Sequence, residues 1–241
     1  MERTCEQALA LGLPAIAFTE HADWEQVHSG QHPVDIAGYL EAVDRCRSRF
    51  SDLRILTGVE LGSPHWFPEE TRRLLAAGMD RVLGSIHSIR IDGELLDASQ
   101  FRDQAGLDFP TAVRAYFRET LAMVESGAVF ETLAHIDYPK RYWAEGAPPY
   151  REEDYEVEIR AILTAGAKTD RVLEVNTTRG SVLCPGETVV RWWYEVGGKA
   201  ISFGSDSHEP SRIGAGFELA GQMVEAVGFK PAADPTALWR R

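Results

Sequence analysis

Along the chain, short apolar runs alternate with longer stretches in which apolar positions recur every three or four residues. The short runs, at 14–18, 54–59, 80–86, 131–134, 171–175 and 201–203, carry β-branched and aromatic side chains and predict strands. The longer stretches predict helices over 2–11, 36–50, 68–77, 110–124, 152–165, 187–196 and 211–227. Tyr39, Leu40, Val43 and Cys46 mark the inner face of the second helix, and Val113, Tyr116, Phe117, Thr120, Leu121 and Val124 that of the fourth. Asp35 is a helix cap, Pro68 and Pro110 open helices, and Gly12 and Gly78 close them. Between these elements lie loops at 24–33, 88–109 and 138–150, and residues 230–241 read as weakly structured. A connection as long as 88–109, with the turn signal Asp92-Gly93, is expected to be a lid or substrate loop.

The order is a regular β/α alternation, which calls for a parallel sheet. It enters on a helix, half a unit late. Polar residues stand just past many of the strands: His21, Glu60, His87, His135, and then Asp206 and His208 two residues apart. Chemistry spread over many strand ends, not gathered at one crevice, favours a barrel over an open sheet. Singly, each of these side chains has a structural explanation. Together they supply only imidazole and carboxylate, a donor set that suits zinc, manganese or iron. Six such donors exceed one tetrahedral site, so two or three divalent ions are expected.

Charge and composition narrow the function. The chain has 241 residues, 44% hydrophobic, and a net charge of −12, which argues against binding long nucleic acid but not a small anion. Three cysteines without metal-type spacing read as reduced thiols, and neither a membrane-spanning run nor a secretory signal is visible. A single domain over 1–241, in the cytoplasm and away from the membrane, is expected. Arg179 and Arg212 follow strand ends and are candidates to clamp a phosphate, with Lys140 and Arg141 as further candidates. His28, His32 and His65 lie in loops and are weaker candidates. No phosphate-binding glycine loop, nucleophile elbow or Cys-x-x-Cys pair is present.

At these positions the chain resembles the PHP family, the polymerase and histidinol phosphatase superfamily. The matching pieces are Thr19-Glu20-His21-Ala22-Asp23, Gly58-Val59-Glu60, Gly84-Ser85-Ile86-His87, Ala134-His135-Ile136-Asp137 and Ser205-Asp206-Ser207-His208, in the family's order. The resemblance implies a distorted α/β barrel of seven β/α units with a trinuclear metal site at its C-terminal face. Glu60 would bridge two metals, His87 and His135 would complete the second, Asp206 would serve the first, and His21 and His208 the third. Glu174-Val175-Asn176-Thr177-Thr178-Arg179 and the connection after His87 resemble the histidinol-phosphatase branch, in which an arginine like Arg179 holds the substrate phosphate. The family's opening strand with its His-x-His pair has no counterpart in this sequence, which would follow from a start assigned too late or a shortened chain. An open barrel of that kind has two unpaired edges, which a neighbouring copy of the chain could cover, making a homo-oligomer.

The resulting expectation is a metal-dependent phosphatase acting on a small phosphorylated substrate. The substrate expected first is L-histidinol phosphate, a step of histidine biosynthesis, by attack of metal-activated hydroxide. The alternatives are a phosphoesterase acting on nucleotides or oligonucleotide ends, and a non-catalytic binding or scaffold domain with an incomplete metal site.

Overall fold

The computed structural model describes residues 1–25, 34–104, 106–143, 149–234 and 236–241. The chain opens with α1 (Glu2–Ala10), β1 (Ala15–Ala22), α2 (Ile36–Arg49), β2 (Arg54–Gly62), α3 (Pro68–Leu75) and β3 (Arg81–Ser85). A hairpin of β4 (Ser88–Ile91) and β5 (Glu94–Asp97) precedes α4 (Phe109–Glu125) and β6 (Thr132–Leu133). Then come α5 (Glu156–Lys168), β7 (Val172–Arg179), β8 (Val182–Cys184), α6 (Glu187–Glu195), β9 (Ala200–Gly204), α7 (Phe217–Val227) and β10 (Trp239–Arg240).

The predicted strands form one parallel sheet in the order β1-β2-β3-β6-β7-β9. Strand order follows chain order without reversal, which is barrel topology and not that of a doubly wound sheet. β10 pairs antiparallel with β9, and β8 antiparallel with β7. Among the described residues β1 and β10 end the strand order and do not pair with each other, so the sheet is open there.

Local chemistry sets the element ends. The Asp35 carboxylate accepts from Gly38 N at 3.2 Å and starts α2. Asp108 accepts from Thr111 N at 3.3 Å and starts α4, with Pro110 in the first turn, where its missing N–H costs nothing. The long connection is shorter in effect than the sequence implies. Asp92 (φ 51°) and Gly93 (φ 87°) are both left-handed, the geometry a two-residue hairpin turn requires, and they close β4 on β5.

Three expectations need correction. Residues 211–227 are not one helix: a 3-10 turn at Pro210–Arg212 is separated from α7 by Gly214 (φ 69°) and Gly216 (φ 77°), which break the helical path. The end of the chain, expected to be weakly structured, carries β10 and a bridge between Lys230 and Arg240. Trp239 packs edge-on against Phe203 at 5.1 Å, and that contact accompanies the pairing of β10 with β9. β7 continues to Arg179, beyond the predicted 175, because β8 folds back along it and pairs Asn176 with Cys184 and Arg179 with Val182.

Three apolar bodies cover the sheet, one of them a small group of Ala22, Val59, Leu61 and Leu74, and the other two carry most of the helices. The larger gathers Phe117, Ile159, Ile162, Leu133, Leu173, Trp193 and Ile201 from α4, α5, α6 and the central strands. The smaller, with Cys5, Ala8, Val43, Cys46 and Ile55, holds α1 and α2 against β1 and β2. All three cysteines are free and buried, and no helix of the described residues is long and apolar enough to cross a membrane.

Candidate metal centre

Because the six strands are parallel, their C-terminal ends lie along one rim. Register does the first alignment: His21 on β1 is the pairing partner of Glu60 on β2, and Gly62 on β2 pairs with Ser85 on β3, placing His87 just beyond. His135 follows β6 and Asp206 follows β9, each with a left-handed backbone, φ 22° and 44°. Non-glycine residues rarely adopt that conformation, and surrounding bonds must hold them in it. Here His135 N donates to Glu174 Oε2 at 2.9 Å, and Asp206 O accepts from Thr178 Oγ1 at 3.2 Å.

Glu60 is the hub. Its Oε1 lies 3.1 Å from His87 Nε2 and 2.8 Å from His135 Nε2, and its Oε2 lies 3.6 Å from His21 Nε2. Donor atoms of His21, Glu60 and His87 all lie within 4.8 Å of one another, and so do those of His21, Asp206 and His208. The structure therefore brings all six sequence candidates to one rim, with His21 common to both groups. Glu60, His87 and His135 are buried, whereas the His208 side chain is 75% exposed and forms the mouth.

The electrostatics are those of a site that concentrates negative charge. Glu60 draws the His21 pKa up to about 9, against the opposing effect of burial. Burial works against the charged form of His87, but Asp23 and Glu60 outweigh it and hold the ring protonated. Burial likewise opposes ionisation of Glu60, and His21 and His87 override it, so Glu60 stays ionised well below the usual carboxylate range. His135 goes the other way: burial lowers its pKa and keeps it neutral.

Several residues of the site were not singled out from the sequence. Asp23 bridges two of the histidines, with Oδ2 2.8 Å from His21 Nδ1 and Oδ1 2.9 Å from His87 Nδ1. Glu174 and Asn176 share one face of β7, two residues apart; Asn176 Nδ2 donates to Glu174 Oε2 and to Asp206 Oδ2, both at 3.2 Å. Burial, then Asp206 and Glu60, push the Glu174 pKa up to about 7. The available signal was a carboxylate inside an otherwise apolar strand. Asp137 is fully buried, and burial raises its pKa to about 6.

The cationic candidates divide. Arg141 Nη1 lies 2.8 Å from Asp206 Oδ2, at the rim. Lys140 is turned to the flank, where its Nζ donates to Glu152 Oε1 at 2.9 Å and to Leu183 O at 3.0 Å. Arg179 is exposed and lies over the Tyr142 ring at 5.5 Å, and Arg212, also exposed, donates to Thr178 O at 2.6 Å. His65 is partly buried with Nε2 2.7 Å from Glu119 Oε1, on which Trp66 Nε1 also converges at 2.8 Å. His28 and His32 lie outside the described residues.

These residues fit divalent metal. Imidazole nitrogens and carboxylate oxygens without thiolate are the donors that zinc, manganese and iron take. The protons that His21 and His87 retain supply the positive charge that a cation would otherwise bring. His135 Nδ1 is buried without a hydrogen-bond partner although Nε2 of the same ring lies 2.8 Å from Glu60 Oε1, so the environment remains unsatisfied by protein alone.

Known proteins resemble this chain in sequence and in fold. A probable histidinol-phosphatase of Clostridium acetobutylicum is 29% identical over 220 residues, covering 90% of this chain and 83% of the relative. The histidinol-phosphatase of Lactococcus lactis subsp. lactis is 28% identical over 242 residues, covering 94% and 85%. The crystal structure of histidinol phosphate phosphatase from the same bacterium, complexed with zinc, L-histidinol and phosphate, superposes with a TM-score of 0.80 at 22% identity, covering 95% of this chain and 87% of that one. A putative histidinol phosphatase from Listeria monocytogenes gives a TM-score of 0.72 at 22% identity, covering 90% and 92%. Residues 1–178 match the PHP domain, and on that match the chain belongs to the PHP domain family.

Proposed function

We propose that the chain, acting as a single domain over residues 1–241, is a metal-dependent phosphomonoesterase that hydrolyses L-histidinol phosphate to histidinol and phosphate. The observation that carries the reading is the convergence of His21, Glu60, His87, His135, Asp206 and His208 on one rim, in a fold shared with histidinol phosphatases. The names of the relatives point to the same substrate. Buried free thiols and the place of the reaction in histidine biosynthesis support a cytoplasmic setting.

Two or three divalent ions, zinc, manganese or iron, would be held by those six residues. When bound they would supply charge neutralisation at phosphorus and activation of water for phosphoester hydrolysis. The chain's own groups do the rest. Glu60 offers both carboxylate oxygens to three histidines and so fixes their spacing. Arg141 holds Asp206 in place. Arg179 and Arg212, both exposed, are the groups that would orient the phosphate, since the charge of their guanidinium groups matches the phosphate oxygens. In the overall reaction the P–O bond to the alcohol breaks, the water oxygen stays on phosphorus, and the alcohol leaves with a proton.

The test is phosphate release by protein loaded with manganese or zinc, with histidinol phosphate and nucleoside monophosphates compared at equal concentration. Preferential turnover of histidinol phosphate, abolished in His87→Ala, is expected. Equal or faster turnover of nucleotides would refute the substrate assignment. Unchanged activity in His87→Ala would refute the site.

A further inference from the structure

Two of the three histidines around Glu60 share a partner that is not a member of either donor group. Asp23 follows β1 directly, and its carboxylate lies between His21 and His87, one oxygen to each Nδ1, at 2.8 and 2.9 Å. The rings stand 5.1 Å apart at an interplanar angle of 39°. An imidazole whose Nδ1–H donates to a carboxylate is fixed in one tautomer, with Nε2 unprotonated when neutral and aimed the opposite way. For His21 and His87 the opposite way is Glu60: their Nε2 atoms lie 3.6 Å from Oε2 and 3.1 Å from Oε1.

The place for this carboxylate is built into the neighbouring strand. A Cβ on Gly62 would stand 1.7 Å from Asp23 Oδ1, so no other residue at that position leaves room for it. The Asp23 side chain is 6% exposed and that of His87 5%, which shields the bond between them from competing water, whereas His21, 42% exposed, makes its bond at the solvent edge. Below it Glu25 is buried and is held by Ser63 Oγ, which donates to Glu25 Oε1 at 3.1 Å.

We infer that Asp23 is the positioning residue of the metal centre: one carboxylate that locks His21 and His87 together as Nε2 donors and lets one displacement disturb both. The inference rests on the proposed metal centre. It concerns the bonds behind the histidines and assigns Asp23 no metal bond of its own.

The experiment uses the full chain. Zinc affinity is measured by competition with a chelating dye for wild type, Asp23→Asn, Gly62→Ala, Asp23→Ala and the Asp23→Ala/Gly62→Ala pair. Long-range ¹H–¹⁵N spectra of the zinc-loaded protein report the histidine tautomers. In wild type, His21 and His87 are expected as Nδ1–H tautomers. Asp23→Asn keeps the shape but offers one acceptor and one donor, so only one ring can keep its bond; zinc affinity should fall about 10–100-fold. Gly62→Ala should produce the same loss by pushing the carboxylate aside, yet add little in the Asp23→Ala background, where only Glu25 Oε1, at 3.3 Å, remains close to that Cβ. Unchanged affinity and tautomers in Asp23→Asn would overturn the inference alone. So would wild-type rings bound through Nδ1, or an Asp23 oxygen seen at bonding distance from zinc, about 2.0–2.2 Å. Wild-type protein that takes up no zinc would overturn this inference together with the metal centre.

Discussion

Arg141 and Asp206 form an ion pair at 2.8 Å in which 3% of the arginine side chain and 15% of the aspartate side chain are exposed. Asp206 is also the point at which β9 delivers its donor to the site, so the guanidinium neutralises the carboxylate that metal would otherwise neutralise. Arg141→Ala leaves that carboxylate shielded and without its charge partner, with only the neutral Asn176 amide still donating to Oδ2, a change that costs about 3 kcal/mol in comparable pairs. Metal-free Arg141→Ala should therefore unfold well below the wild type, and zinc should raise its melting temperature more than it raises that of wild type. Equal increments on adding zinc would show that Asp206 does not receive a metal.

Protons and metal compete for the same nitrogens. The His21 pKa is raised to about 9 and that of His87 is raised as well, against about 6.5 in an unfolded chain. The raised pKa of His21 stabilises the metal-free fold fully below about pH 6.5, and that contribution is lost as pH climbs through about 9; His87 contributes in the same direction. Metal needs the neutral ring, so binding at pH 7.5 should expel about two protons, and affinity should rise as pH increases above about 7.5. Titration calorimetry in two buffers of different ionisation enthalpy counts those protons. An enthalpy independent of the buffer would contradict the assignment of His21 and His87 as ligands.

Glu174 gives the opposite handle. Its pKa is raised to about 7 by burial, with Asp206 and Glu60 adding to the effect. The metal-free folded state keeps a proton there that the unfolded chain releases above about pH 4.5, so this group makes stability fall between about pH 4.5 and 7. Glu174→Gln removes that slope. The variant should match wild type at pH 4.5 and exceed it by about 2–3 kcal/mol at pH 8, measured by urea unfolding of metal-free protein. Parallel pH profiles for the two proteins would exclude Glu174 as the titrating group.

What the sequence made legible follows from what periodicity encodes. The strand-end donors stood out because a polar residue that ends an apolar run is visible locally, and parallel topology then carries all such ends to one rim. Asp23 and Glu174 were harder. Asp23 lies past the end of β1 and matters only because β2 and β3 bring His87 alongside, a contact 64 residues distant in the chain. Glu174 sits within an apolar strand, and the space for its carboxylate comes from Gly204 on β9, where a Cβ would approach Oε1 to 2.0 Å. β10 was missed for a similar reason: a two-residue strand has no period of its own, and here pairing to β9 accompanies the contact of Trp239 with Phe203.

The position of His21 depends on a hydroxyl far from the rim. Tyr39 on α2 donates from its OH to Phe18 O at 2.8 Å and accepts from Gly58 N at 2.7 Å, so one buried phenol spans β1 and β2. Among the described residues β1 ends the strand order and pairs only with β2, which leaves it few other bonds to hold its register. Tyr39→Phe conserves the ring and its packing but removes both hydrogen bonds, leaving a buried N–H and a carbonyl without that partner, at a cost of about 1–3 kcal/mol. Two effects should follow together. Amide exchange of β1 should quicken more than that of β3 or β7, because the loss is local to the edge. Zinc affinity should also fall, since His21 belongs to both donor groups and moves with β1. A variant destabilised by this amount that binds zinc as tightly as wild type would mean that His21 is held by Asp23 and Glu60 alone, independently of the strand that carries it.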